Sequence, residues 1–135
     1  MLVKDIMHNI KKIDSNSTVV MAAELMTSAQ RGSILVEENG DLVGVFTERD
    51  VTRKVISRGL NPGSTLVKNV MSTPIITVRG DIPLTEASKI MIENRVRRLP
   101  VTENGQIIGL ITTATVSKNL HYIMAHKFKT IRRTI

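Results

Sequence analysis

The sequence contains no cysteine and no tryptophan, and only two phenylalanines and one tyrosine among 135 residues. Without cysteine there can be no disulfide, no thiolate nucleophile and no thiolate metal ligand. A reducing, cytoplasmic setting is the corresponding expectation. With aromatics at 2%, a stacking platform for nucleic-acid bases has almost nothing to be built from. No apolar run approaches the roughly 18 residues that a membrane-spanning helix needs, so no membrane partner is expected. The opening "MLVKDIMHNIKKID" lacks the long apolar stretch of a secretory signal. His8, His121 and His126 are scattered, and the last two do not share a helical face, so a metal site is not expected. Nor is there a phosphate loop with its lysine, or a Ser/His/Asp or Cys/His constellation. An enzyme is therefore not expected.

Acid is missing from one place in particular. From Lys118 onward there are five basic residues (Lys118, Lys127, Lys129, Arg132 and Arg133) and no carboxylate, so most of the net charge of +7 lies in this tail. Two uses of "KNLHYIMAHKFKTIRRTI" stay open. Its cations could contact nucleic-acid phosphates. Alternatively Leu120, Ile123, Met124, Phe128 and Ile131, at three- to four-residue spacing, form the apolar face of a helix that packs on a second copy.

What is present is a repeat. "VKDIM" (3–7) matches "VKNVM" (67–71), "AAELM" (22–26) matches "ASKIM" (87–91), and "ILVEENGDLVGVFT" (34–47) matches "LPVTENGQIIGLIT" (99–112). A doubled pattern of this length sets the architecture before any single element is read. Each copy reads as β-α-β-β-α, an α/β (α+β) fold. A short apolar segment (10–13; 75–78) precedes candidate helix caps, Ser15 and Ser17 in one copy and Asp81 in the other. The helical face follows as Val19, Ala22, Ala23 and Met26, or Leu84, Ala87, Ser88 and Met91, with Pro83 suited to a first turn. Asn39-Gly40 and Asn104-Gly105 then separate apolar runs, which predicts two hairpins closed by type I′ turns. Further helices are expected over about 47–58 and from about 112 onward. A copy of about 60 residues buries little surface alone, so the two are expected to pack as one folding unit. The expected divisions are 1–60, a linker at 61–66, 67–121, and a basic tail at 122–135.

The copies part company after the second strand. "GVFTERD" ends on Asp50, while "GLITTAT" carries Thr115 in that place. Thr47-x-x-Asp50 matches a capping box, in which threonine caps the helix and the acid reaches back. The same residues at a helix start also suit a polar ligand, since a carboxylate can accept two hydroxyl protons. Both readings stand on the residues alone.

Taken together, "VKDIM", "VKNVMSTPIITV", "GVFTERDV" and "RRLPVTENGQIIGLIT" resemble a tandem pair of CBS motifs, the family named after cystathionine β-synthase. The resemblance runs from Val3 to about Leu120. It implies a pseudo-twofold module that usually dimerises and acts without catalysis, as a regulator of an effector protein. It also implies that clefts between the motifs bind an adenosyl ligand, either AMP, ADP, ATP or S-adenosylmethionine. On this basis Thr47 and Asp50, with Thr112 and Thr115 in the other copy, are expected at the ribose, and Arg97 and Arg98 at the phosphates. Lys11, Lys12, Ile76 and Thr77 are expected at the adenine edge, with Ala22 and Ala87 small enough to admit the ring. Two plainer readings accompany these. Glu93 and Arg97 could form an i, i+4 pair on a solvated helix end, and the alanines could simply let a helix lie close on its sheet. Thr115 brings no charge, so the site around Asp50 is expected to bind a diol more tightly than its counterpart.

Overall fold

The computed structural model describes residues 1–73 and 75–134, with side chains described at all of these except 122, 123 and 126–134. The chain falls into two compact units that do not follow the order of the repeat. One unit comprises Ile10–Ile75, and the other combines Met1–Asn9 with Ile76–Ile135. The short segment that leads each copy therefore folds with the other copy.

In the 10–75 unit the elements are β1 (Lys12–Asp14), α1 (Val19–Ala29), β2 (Ser33–Glu38), β3 (Asp41–Thr47) and α2 (Glu48–Asp50). The α2 turn continues directly as a π-helical segment, Val51–Ile56. The sheet runs β1-β2-β3, with β1 parallel to β2 and β3 antiparallel to it. The other unit repeats the plan with β4 (Val78–Arg79), α3 (Leu84–Asn94), β5 (Arg98–Glu103), β6 (Gln106–Thr112) and α4 (Thr113–Thr134). Its sheet order is β4-β5-β6, again parallel and then antiparallel. The mixed α/β class and the two repeats expected from the sequence are thus present.

The hairpin turns carry the positive φ that a type I′ geometry needs, 52° and 84° at Asn39 and Gly40, and 51° and 78° at Asn104 and Gly105. Each hairpin also bulges once, where Val43 and Ile108 have no partner across the ladder. Apolar faces close each core. Val19, Ala22 and Met26 of α1 pack with Ile34, Val36 and Phe46, and Leu84, Ala87 and Met91 of α3 pack with Leu99, Val101 and Ile111. Each large side chain fully buried here contributes about 1.5–3 kcal/mol.

Four local expectations differ. The first strands lie two to three residues later than the apolar segments that suggested them, at Lys12–Asp14 and Val78–Arg79. The α1 cap is Thr18, whose side chain accepts from Met21 N, rather than Ser15 or Ser17. Ser15 is instead fully buried, with its hydroxyl donating to Glu38 Oε1 at 3.0 Å. In α3 the cap position is Pro83, which makes no side-chain cap bond, and Asp81 is paired with Arg79 instead. The helix expected over 47–58 has only one α turn before its geometry widens to π.

The leading segments are held by backbone pairing. Val3 N donates to Ile82 O and His8 N to Leu110 O, while Val67 N donates to Ser17 O and Ser72 N to Val45 O. A methionine then crosses a glycine in each unit. Met71 lies so close over Gly44, and Met7 over Gly109, that a Cβ added at either glycine would collide with the sulfur. This accounts for the glycine shared by "GVFT" and "GLIT" and for the methionine shared by "VKDIM" and "VKNVM".

Candidate ligand-binding site

The end of β3 delivers Thr47 and Asp50 to the start of α2, both nearly buried at 8% and 5% exposure. The capping box is formed. Asp50 N donates to Thr47 Oγ1 at 3.1 Å, and Thr47 N donates to Asp50 Oδ2 at 3.0 Å. The other carboxylate oxygen is engaged by residues the motif does not contain. Ser72 Oγ donates to Oδ1 at 2.9 Å, and Lys54 Nζ lies 3.1 Å from the same atom. Lys54 also donates to Met71 O at 3.3 Å and to Ser72 Oγ at 3.2 Å. A carboxylate this buried needs such partners, since removing it from water unpaired is strongly unfavourable.

The equivalent place in the other unit is built from a different set. Thr115 N donates to Thr112 Oγ1 at 3.3 Å, and the two threonine hydroxyls are 3.2 Å apart. His8 Nε2 lies 2.6 Å from Thr115 Oγ1, and Asn119 Nδ2 donates to Thr115 O at 2.8 Å. Laid over the repeat, Asp50, Lys54 and Ser72 become Thr115, Asn119 and His8. The acid, its cation and its hydroxyl have all changed together. Sequence reasoning treats His8 as unremarkable and does not single out Lys54 or Ser72. The signal that finds them is the alignment itself, read at every position rather than at the acid alone.

The phosphate candidates stand in this second unit. Arg98 faces Thr112 across the β5–β6 ladder, and the Arg97 carbonyl accepts from Thr113 N at 2.9 Å where α4 begins. The acid and the arginines therefore lie in different units. The suggested Glu93–Arg97 helix pair does not form, because α3 ends at Asn94 and Arg95 turns left-handed with φ 55°. Glu93 is instead 3.9 Å from Lys89.

Among the adenine candidates, Lys11 and Lys12 are exposed at the start of the 10–75 unit. The Lys11 carbonyl is already used by Leu35 N at 2.9 Å. Ile76 packs against the core of its unit, while Thr77 is exposed. Ala22 and Ala87 have no exposed surface and lie within the two cores, which is the arrangement of helices lying close on their sheets. Of the apolar tail positions, Leu120 packs on the core and lines a groove of about 400 Å³ between α3 and α4 with Met91, Ile92 and Met124. The side chains of Ile123, Phe128 and Ile131, and the tail cations beyond Lys118, lie outside the described residues.

The titration behaviour of one exposed group is set by its neighbour. The Arg79 guanidinium, hydrogen-bonded to Asp81, holds that carboxyl below its usual range. Among the described residues no cluster of His, Cys, Asp and Glu could hold a metal ion. No described helix is long and apolar enough to cross a membrane.

The family profile for the CBS domain matches residues 3–57 and again 67–122. The chain belongs to the CBS-domain family. A CBS domain-containing protein of Bacillus subtilis, YhcV, is 32% identical over 118 residues, which are 87% of this chain and 84% of that protein. The uncharacterized protein MK0525 of Methanopyrus kandleri is 37% identical over 110 residues, 80% of this chain but only 56% of the relative. Among solved structures, a candidate signal-transduction protein with CBS domains from Burkholderia ambifaria superposes with a TM-score of 0.76 at 30% identity. That match covers 85% of this chain and 84% of the other. The chain is thus a CBS pair, a module of the regulatory kind.

Proposed function

We propose that this CBS pair is a ligand-sensing module that binds an adenine nucleotide, with the ribose held by Thr47 and Asp50. The observation that carries the reading is the buried Thr47–Asp50 pair at the start of α2, inside a CBS match. A carboxylate there supplies acceptors for two hydroxyl protons, and backbone N–H groups at a helix start favour a polar, anionic neighbour. Arg97 and Arg98 are the groups proposed to meet phosphate oxygens, which guanidinium forks fit in two-pronged fashion. The Thr112/Thr115 place binds a diol more weakly, because it offers hydroxyls and no charge. Binding regulates an effector only through unequal affinity for two conformations of the module.

Calorimetric titration of the chain with AMP, ATP and S-adenosylmethionine tests this, repeated on Asp50→Asn. The expected result is binding of one of these ligands, weakened by roughly ten- to a hundred-fold in the variant. Absence of heat with all three, in protein freed of carried-over nucleotide, would return Thr47 and Asp50 to the role of a helix cap.

A further inference from the structure

We propose that Lys54 and Ser72 are an internal brake on Asp50, two donors that saturate its outer oxygen and that an incoming diol must displace. This rests on the reading of Asp50 as the ribose acceptor and adds how access to it is controlled. A cis-diol held by both carboxylate oxygens needs a free acceptor position on each. Among the described residues Oδ2 receives only Thr47 N, but Oδ1 already receives Ser72 Oγ at 2.9 Å and Lys54 Nζ at 3.1 Å. The carboxylate side chain is 6% exposed, so solvent does not offer a substitute partner.

Lys54 is the member able to leave. Its side chain is 32% exposed and keeps Met71 O and Ser72 Oγ as acceptors once Asp50 is given up. Ser72 cannot follow as a whole, because its backbone is tied to Val45 in both directions. Its hydroxyl can only turn. Ligand binding then becomes an exchange, in which a diol replaces an ammonium at Oδ1. Two consequences follow. Affinity for a ribonucleotide is lower than a bare carboxylate would give, and only a ligand with both hydroxyls can carry out the exchange. The second repeat provides the contrast: it has Asn119 and His8 where the brake would be, and no acid to restrain.

The test measures binding of AMP and of 2′-deoxy-AMP to the full chain and to Lys54→Met. Removing one charge-assisted competitor should tighten AMP by roughly ten-fold while leaving 2′-deoxy-AMP unchanged. Ser72→Ala should move AMP in the same direction and serves if Lys54→Met fails to fold. In the unaltered chain, acylation of the Lys54 amine should be slow without ligand and faster with AMP. Equal or weaker AMP binding in both variants would overturn the brake while leaving Asp50 as the ribose acceptor. Weaker binding of both nucleotides to Lys54→Met alone would make Lys54 a direct phosphate contact instead. No AMP binding by any form would overturn the brake and the nucleotide reading together.

Discussion

Transplanting the Thr115, Asn119 and His8 set into the place of Asp50, Lys54 and Ser72 gives the sharpest test of how these two sites are built. Asp50→Thr alone removes the carboxylate that takes Thr47 N, Ser72 Oγ and Lys54 Nζ, and a single hydroxyl replaces it. At about 1.5–3 kcal/mol per bond to a charged group, partly regained by hydration of Lys54, the net cost is about 2–3 kcal/mol. Lys54→Asn alone leaves the buried carboxylate with two donors. Because the ammonium is 32% exposed and its pairing is screened, the cost is about 1–2 kcal/mol. Ser72→His alone forces an imidazole against the Lys54 ammonium, at about 1–2 kcal/mol. The triple variant should cost about 1 kcal/mol or less, far below the summed singles, because the chain already folds Thr115, Asn119 and His8 as a satisfied set. Volume also balances: the shorter asparagine vacates the space the larger histidine needs. Urea unfolding with an unchanged m-value would read these differences, and each kcal/mol corresponds to about 3–5 °C in Tm at this chain length. A triple variant as unstable as the three singles added together would refute the view that the two sets are interchangeable units.

Two further outcomes are open to direct measurement. Gly109→Ala should destabilise the chain by about 1–3 kcal/mol, since the new Cβ meets Met7 Cγ at 2.7 Å. A double-mutant cycle with Met7→Ala should recover part of that loss, and strict additivity would count against the close crossing. Arg79→Gln should raise the Asp81 carboxyl titration toward its ordinary range, followed by NMR across acidic pH. Because the folded-state value is depressed, the associated stability is present above the ordinary range and is lost as pH falls through the lower one. Both side chains lie on the surface, 75% and 51% exposed, so the variant should leave stability near neutral pH almost unchanged.

Thr47 and Asp50 serve the helix start through one carboxylate oxygen and other partners through the second. The box is formed, and it occupies only one carboxylate oxygen. The second oxygen is the one that the proposed diol would have to win from Ser72 and Lys54, both of which lie outside "GVFTERD". Capping therefore does not exclude binding. It orients the carboxylate through Oδ2 and leaves Oδ1 to Ser72 and Lys54.

The sequence by itself determined what depends on near neighbours along the chain. Asn-Gly between apolar runs dictates a tight hairpin, because few other residues accept positive φ twice in succession. The apolar spacing of α1 and α3 settles which face is buried, and Ala22 and Ala87 lie on that face as helical periodicity requires. Helix starts were less legible. Several polar residues stood near each one, and tertiary contacts such as Ser15 to Glu38 chose among them. Only the tertiary structure decided which copy each leading segment joins, since either sheet offers similar backbone edges. The same is true of His8, which reaches Thr115 from 107 residues away, and of Ser72, which reaches Asp50 from 22. Contacts at such separations leave no local periodicity to read. What makes them visible in retrospect is that a buried carboxylate cannot stand without donors, so its loss in one repeat had to be matched by changes in its partners.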